Sequence, residues 1–171
     1  VNTGSTTTEP PLSLNMVKAE GLSGFSDFAL GTQYCKVVTN GNDDGIGSLR
    51  FAIAQCSNPE DYIYIAEFID SIFLVSDTII LDKNLSIFHS GNEKVVIQTT
   101  SSSPVFKTNP GVLITLNNIE IHSGGVASSK ALLNNGNTIL WNVDIINSIP
   151  GEIPVMNTGI LEISETVQIK N

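Results

Sequence analysis

The sequence predicts an all-β solenoid, a right-handed parallel β-helix of about four to five coils with an N-terminal capping helix and preceding β-strands. Three observations carry this expectation. The composition is rich in β-branched residues and asparagine, with 21 Ile and 17 Asn among 171 residues. Segments with matching apolar positions recur at an offset of 24 residues. One short amphipathic helix stands directly ahead of a long run of strand-like segments.

In chain order, residues 1–12, VNTGSTTTEPPL, carry no apolar periodicity and read as a linker or arm. Leu12-Leu14-Met16 and Phe25-Phe28-Leu30 alternate as short strands around glycine turns. Residues 1–32 are therefore assigned to a linker and the terminal strands of, or strands pairing with, an adjacent β-domain, and residues 33–171 to the β-helix. Cys35 through Thr39 is strand-like, and Asn40 through Gly45 is a turn. Ser48 then caps a helix within about 48–56, whose Leu49, Ala52, Ile53 and Cys56 form one apolar stripe ended by Asn58-Pro59. Strands follow at 62–66, 72–75, 78–81, 85–88, 94–99, 112–116, 119–122, 138–146 and 160–169.

The repeat aligns Leu113–Ile121 with Asn137–Ile145 and Leu161–Ile169, so Ile119 falls on Val143 and Val167, and Ile121 on Ile145 and Ile169. A fourth copy, Ile79–Ile87, fits at an offset of 34, with the additional residues expected as a loop around Gln98 to Pro104. Stacking such copies puts like on like in a common core and leaves backbone groups to pair between coils. Asn84, Asn118 and Asn142 then stand at bends, either as a stacked amide ladder or as ordinary turn asparagines. A helix ahead of the first coil would cover an end that otherwise exposes core and strand edges.

Composition also excludes function classes. Hydrophobic residues make up 41% and charged residues 15%, and the net charge is −9. That is neither a coiled coil, a helical bundle nor a disordered acidic tail. No apolar run reaches the ~18 residues of a membrane-spanning helix, and so acidic a chain is a poor match for nucleic acid. The chain opens on Val1 with no leader-like pattern, which reads as a processed product or fragment whose export signal lies outside it. Cys35 and Cys56 allow either one disulfide or two buried thiols; a bond would close a 22-residue segment, worth ~3 kcal/mol by chain entropy.

Val38 to Cys56 and Asp61 to Gly91 resemble the opening of the parallel β-helix found in large secreted bacterial surface proteins, including the polymorphic outer-membrane-protein-like group. Gly47-Ser48-Leu49-Arg50, Ile72-Phe73-Leu74 and Asn84-Leu85-Ser86-Ile87 carry the likeness. Leu22 through Gly31 resembles the closing strand of β-sandwich modules in surface proteins of the Bacteroidetes type. The resemblance implies a secreted, cell-surface, adhesin-like protein exported by type IX secretion, with this segment serving display, adhesion or docking. The implied partners are secretion or surface-anchoring proteins, or host and surface glycans. The ending Thr166 to Asn171 departs from the usual sorting domain, so a secretion signal would reside in the β-helix or outside this sequence.

Parallel β-helices also house polysaccharide lyases and hydrolases, so carboxylate clusters matter. Asp43-Asp44 reads as a turn pair, with a metal or catalytic role as the alternative. Glu120, Asp144 and Gln168 superpose on one face, where two carboxylates ~4.8 Å apart either hold a cation or simply meet solvent. His89 and His122 fall near equivalent positions and make a poor metal site. Arg50, the only arginine, suits a structural ion pair. Trp141 reads as an outward side chain at a bend that stacks on a sugar, anchors a partner or packs on a loop. Leu161, Ile163, Val167 and Ile169 form a last rung with an uncovered edge, where a partner is expected. No catalytic residue, metal ligand or cofactor is assigned; the enzyme fragment is the alternative.

Overall fold

A computed structural model describes residues 6–7, 18–19, 34–57, 61–164 and 166–170, with backbone alone at 6–7, 18–19, 34–36 and 61. The chain divides into two compact units, Val1–Thr32 and Gln33–Asn171. In the first, β1 (Thr6–Thr7) pairs antiparallel with β2 (Lys18–Ala19). The strands expected at Leu12–Met16 and Phe25–Leu30, and the helix stop at Asn58-Pro59, lie outside the described residues.

The second unit begins with β3 (Tyr34–Val38) and α1 (Leu49–Gln55). The Ser48 side chain accepts from the Phe51 N–H, the N-cap bond that the first turn requires. Leu49, Ala52, Ile53 and Cys56 are all buried, so the helix closes the start of the solenoid as its apolar stripe dictates. Three strands per coil follow: β4 (Asp61–Ile65), β5 (Ser71–Leu74) and β6 (Ile79–Leu81), then β7 (Leu85–His89), β8 (Val95–Thr99) and β9 (Phe106–Thr108). In the next coils the first two strands merge into one bent strand, giving β10 (Leu113–His122) with β11 (Leu132–Asn134), and β12 (Asn137–Ile146) with β13 (Val155–Asn157). A last coil holds β14 (Ile160–Ile163) and β15 (Gln168–Lys170).

All pairing in this unit is parallel, from coil to coil, and the strands stack as a right-handed parallel β-helix of about five turns. A first face stacks β3, β4, β7, β10, β12 and β14; a second stacks β5, β8, β10, β12 and β15; a third stacks β6, β9, β11 and β13. Alternate residues point inward and form continuous columns. One runs Ile63, Ile87, Leu116 and Leu140; another runs Ile72, Ile97, Ile121 and Ile145, and all eight are fully buried. The isoleucine excess is therefore the core, with each fully buried side chain stabilising by roughly 1.5–3 kcal/mol.

β10 and β12 turn the corner through Asn118 and Asn142, at φ 58° and 51°. This left-handed conformation is tolerated best by glycine and asparagine. The Asn142 amide donates to Asn118 Oδ1 at 2.9 Å, and Asn118 donates to the carbonyls of His89, Gly91 and Glu93 in the coil before. Thr166 takes the same conformation one coil later. Asn142→Ala removes a bond and keeps a disfavoured φ, and is expected to cost about 1–2 kcal/mol in denaturant unfolding. Asn142→Gly, which relieves the φ, should cost less.

Four expectations are corrected. Asn84 does not join this ladder: Leu85 lies opposite Ile114, an offset of 29 rather than 34. Asn84 instead stands at the corner from the third face to the first, where its Oδ1 accepts from the Leu113 N–H at 2.8 Å. In the last coil Ile160 opposes Asn137, an offset of 23, and 24 is regained only where Gln168 meets Asp144. This one-residue shift sets Leu161 on buried Thr138 and Ile163 on buried Leu140, so both face inward; the constant offset would have turned them out. The expected strand at 160–169 is accordingly two strands. Finally, His89 and His122 occupy different faces: His89 pairs with Ile65 and is buried, whereas His122 lies outward between Gln98 and Ile146.

Candidate functional site

The outward side chains of the first face build a groove. Successive outward residues of one strand are two positions apart, about 6.6 Å along it, and neighbouring strands are about 4.8 Å apart. In one outward column Val37, Tyr64, Phe88, Asn117 and Trp141 follow one another from β3 to β12. In the next column Tyr62, Ser86, Thr115, Ile139 and Glu162 do the same from β4 to β14. The small residues Ser86, Thr115 and Asn117 form a floor, with Tyr62 and Phe88 on one side and Ile139 and Trp141 on the other. The resulting groove has a volume of about 600 Å³.

Its walls are held from beneath and beside. Phe88 meets Tyr64 edge-on, with ring centroids 5.3 Å apart and planes at 68°. The Tyr64 hydroxyl in turn pairs with Ser90 Oγ. Trp141 lies next to the Asn142 bend and is 46% exposed on the sheet face. Tyr62 is 39% exposed. The exposed parts of these aromatic side chains leave apolar area in water that a bound group could cover.

Glu120 and Asp144, the two carboxylates expected on one face, each contact a basic side chain. Asp144 lies opposite Glu120 and Gln168 on the second face. The Lys94 ammonium sits 2.8 Å from Asp144 Oδ1, and His122 Nε2 contacts Glu120 Oε1. Neither carboxylate lines the groove. Among the described residues no three His, Cys, Asp or Glu side chains come together as a metal site.

Asp43 is buried within the cap. Its Oδ1 accepts from Arg50 Nη2 and Nε at 2.8 and 3.2 Å. Its Oδ2 accepts from the Val75 and Ser76 N–H groups at 3.1 and 2.7 Å, and from the Ser76 hydroxyl. Arg50 continues to the carbonyls of Asp77 and Thr78. Burial, the largest single influence, raises the Asp43 carboxyl pKa, but the hydrogen bonds from Ser76 and Arg50 and the guanidinium charge together outweigh it and lower the pKa below its ordinary value. This is the structural pair expected of Arg50, tying the cap turn to the corner after β5.

Cys56 is disulfide-bonded, and Cys35 is the other cysteine of the chain; the Cys35 side chain lies outside the described residues. In the last coil Ile163 and Ile169 are 57% and 45% exposed, while Leu161 and Val167 are half-buried. Among the described residues no strand pairs with the far edge of β14 or β15.

Sequence reasoning singled out Trp141, and separately the last-coil residues, but not Tyr62, Ser86, Phe88, Thr115, Asn117 or Ile139 of the groove. The offset of 24, which sets Thr115 beside Ile139 and Asn117 beside Trp141, could have pointed to part of the groove. No protein-family model, curated protein or solved structure matches the chain.

Proposed function

We propose that this chain is a non-enzymatic segment of a secreted cell-surface protein, an adhesin-like stalk whose first face makes contacts. The sequence resemblance to Bacteroidetes-type surface proteins exported by type IX secretion supports the location. The observation that carries the binding role is the groove on the first face. Its floor is hydroxyl and amide and its walls are aromatic and aliphatic, groups that hold a ligand without exchanging protons with it at neutral pH. The solenoid behind it is stiff, since every coil is hydrogen-bonded to the next and shares its core.

Docking to export or anchoring machinery falls to the last coil, where Leu161, Ile163, Val167 and Ile169 continue the inward columns. A truncation ending near Gly159 that kept partner binding intact would refute this role.

The adhesive reading is tested with beads coated with the chain and presented to cell surfaces. Retention is expected to fall when Trp141 is replaced by Ala, and unchanged retention would overturn the reading. Against the alternative of a carbohydrate-active enzyme fragment, incubation with acidic polysaccharides, with and without calcium, is expected to release no new chain ends. Activity abolished by Glu120→Gln or Asp144→Asn would make the protein an enzyme.

A further inference from the structure

We infer that the groove floored by Ser86, Thr115 and Asn117 is a binding site for an uncharged sugar ring, presented by a neutral glycan. This rests on the binding role proposed for the same face and narrows its ligand class.

Shape and chemistry agree. Phe88 and Trp141 stand in one column on either side of Asn117. Two strand spacings separate their backbones, roughly 10 Å, which leaves room for one ring between or against them. The face of an aromatic ring stacks on the C–H side of a pyranose and buries apolar area there, while the sugar hydroxyls remain at the edge. Below that edge lie the Asn117 amide and the Thr115 and Ser86 hydroxyls, which donate and accept in the same small region. A ring of vicinal hydroxyls, each donor and acceptor at once, is the ligand such a floor satisfies.

Charge decides between ligand classes. The groove lining carries no charged side chain, and the next position in the Ile139 column is Glu162. An acidic polysaccharide would lose water with no cation to replace it and would meet a carboxylate at the rim. Nucleic acid fails for the same reason against a chain of net charge −9. A peptide adding as a strand needs a free edge, and β10 is already paired on both sides along this face.

The test is an array of neutral and acidic oligosaccharides probed with the whole chain, followed by calorimetric titration of the best ligand. Neutral oligosaccharides are expected to bind, and uronate- or sialic-acid-bearing ones to bind at least tenfold more weakly. Trp141→Ala and Asn117→Ala should each weaken binding about tenfold with the melting temperature held, because both side chains are exposed. Binding confined to acidic glycans, no neutral glycan bound, or affinity unchanged in Trp141→Ala would each overturn the inference. Should coated beads adhere to cells while no neutral glycan binds, this inference falls and the adhesive reading stands. Should a neutral glycan bind and be cleaved, the site stands and the non-enzymatic reading falls.

Discussion

Replacing Asp43 by Ala is expected to lower the stability of the β-helix by about 3 kcal/mol in denaturant unfolding. The carboxylate accepts from Arg50, from two backbone N–H groups and from the Ser76 hydroxyl. Removing it takes the shared acceptor from the Val75 and Ser76 N–H groups and the Ser76 hydroxyl, and leaves the guanidinium with only the Asp77 and Thr78 carbonyls and solvent. The value sits at the low end for a broken buried pair because Arg50 keeps about a quarter of its side chain in water. The pH dependence has a fixed sign. The Asp43 pKa is lower folded than unfolded, so its contribution is fully present above the unfolded carboxylate value, about 3.9. It is lost as pH falls through the folded pKa. The stability gap between the parent chain and Asp43→Asn should therefore be constant near neutral pH and close as the solution is acidified below 4 or so. A gap that widens on acidification would contradict the assignment. Arg50→Lys is expected to fall between parent and Asp43→Ala, since an ammonium cannot reach the carboxylate with two donors while holding the Asp77 and Thr78 carbonyls.

The cap that this network secures was legible in the sequence because its signals are local. Ser48 followed by a stripe at helical spacing needs only adjacent residues, and the helix forms at Leu49–Gln55. The offset of 24 was legible for the same reason wherever a coil turns its first corner on a single asparagine, as at Asn118 and Asn142. It failed where corners are longer. Residues 90–94 form a loop at the corner that Asn118 turns alone, so the pattern around Asn84 mimicked the wrong bend. Strands of one coil share the same apolar alternation, and alternation cannot tell one face from another. The groove was hidden by this. Phe88 and Asn117 are neighbours only under the offset of 29, and Lys94, which neutralises Asp144, comes from the unaligned loop.

Of the third face only β6 was expected, within 78–81; β9, β11 and β13 were missed, and the reason leads to a second large effect. β9, β11 and β13 are three residues each, and their last inward positions are Thr108, Asn134 and Asn157 rather than apolar residues. Polar side chains in a core read as loop. Here they are satisfied instead. Asn134 is fully buried; its Oδ1 accepts from Thr108 Oγ1, from Thr138 Oγ1 at 2.8 Å and from the Gly136 N–H at 3.2 Å. Its amide donates to Asn157 Oδ1 and to the Ile160 carbonyl, both at 2.8 Å. Thr108 Oγ1 accepts from the Asn135 and Gly136 N–H groups. One side chain thus serves three consecutive coils at the corner where chain must pass closest to chain; a Cβ on Gly159 would lie 2.0 Å from the Gly136 carbonyl. Asn134→Ala leaves the buried Thr108 and Thr138 hydroxyls, and the part-buried Ile160 carbonyl, without this partner. Each buried polar group left unsatisfied costs about 1–3 kcal/mol. The expected loss is at least 3 kcal/mol, larger than for Asn142→Ala, whose amide makes one bond to its neighbour at a half-exposed corner. Asn134→Leu tests whether polarity or volume matters: it fills the space yet satisfies none of these groups, and should be no better tolerated than Ala. Urea unfolding of the three variants gives the ranking. If Asn134→Leu proved as stable as the parent, the corner would be held by packing, and the amide column would be a consequence of the turn rather than its cause.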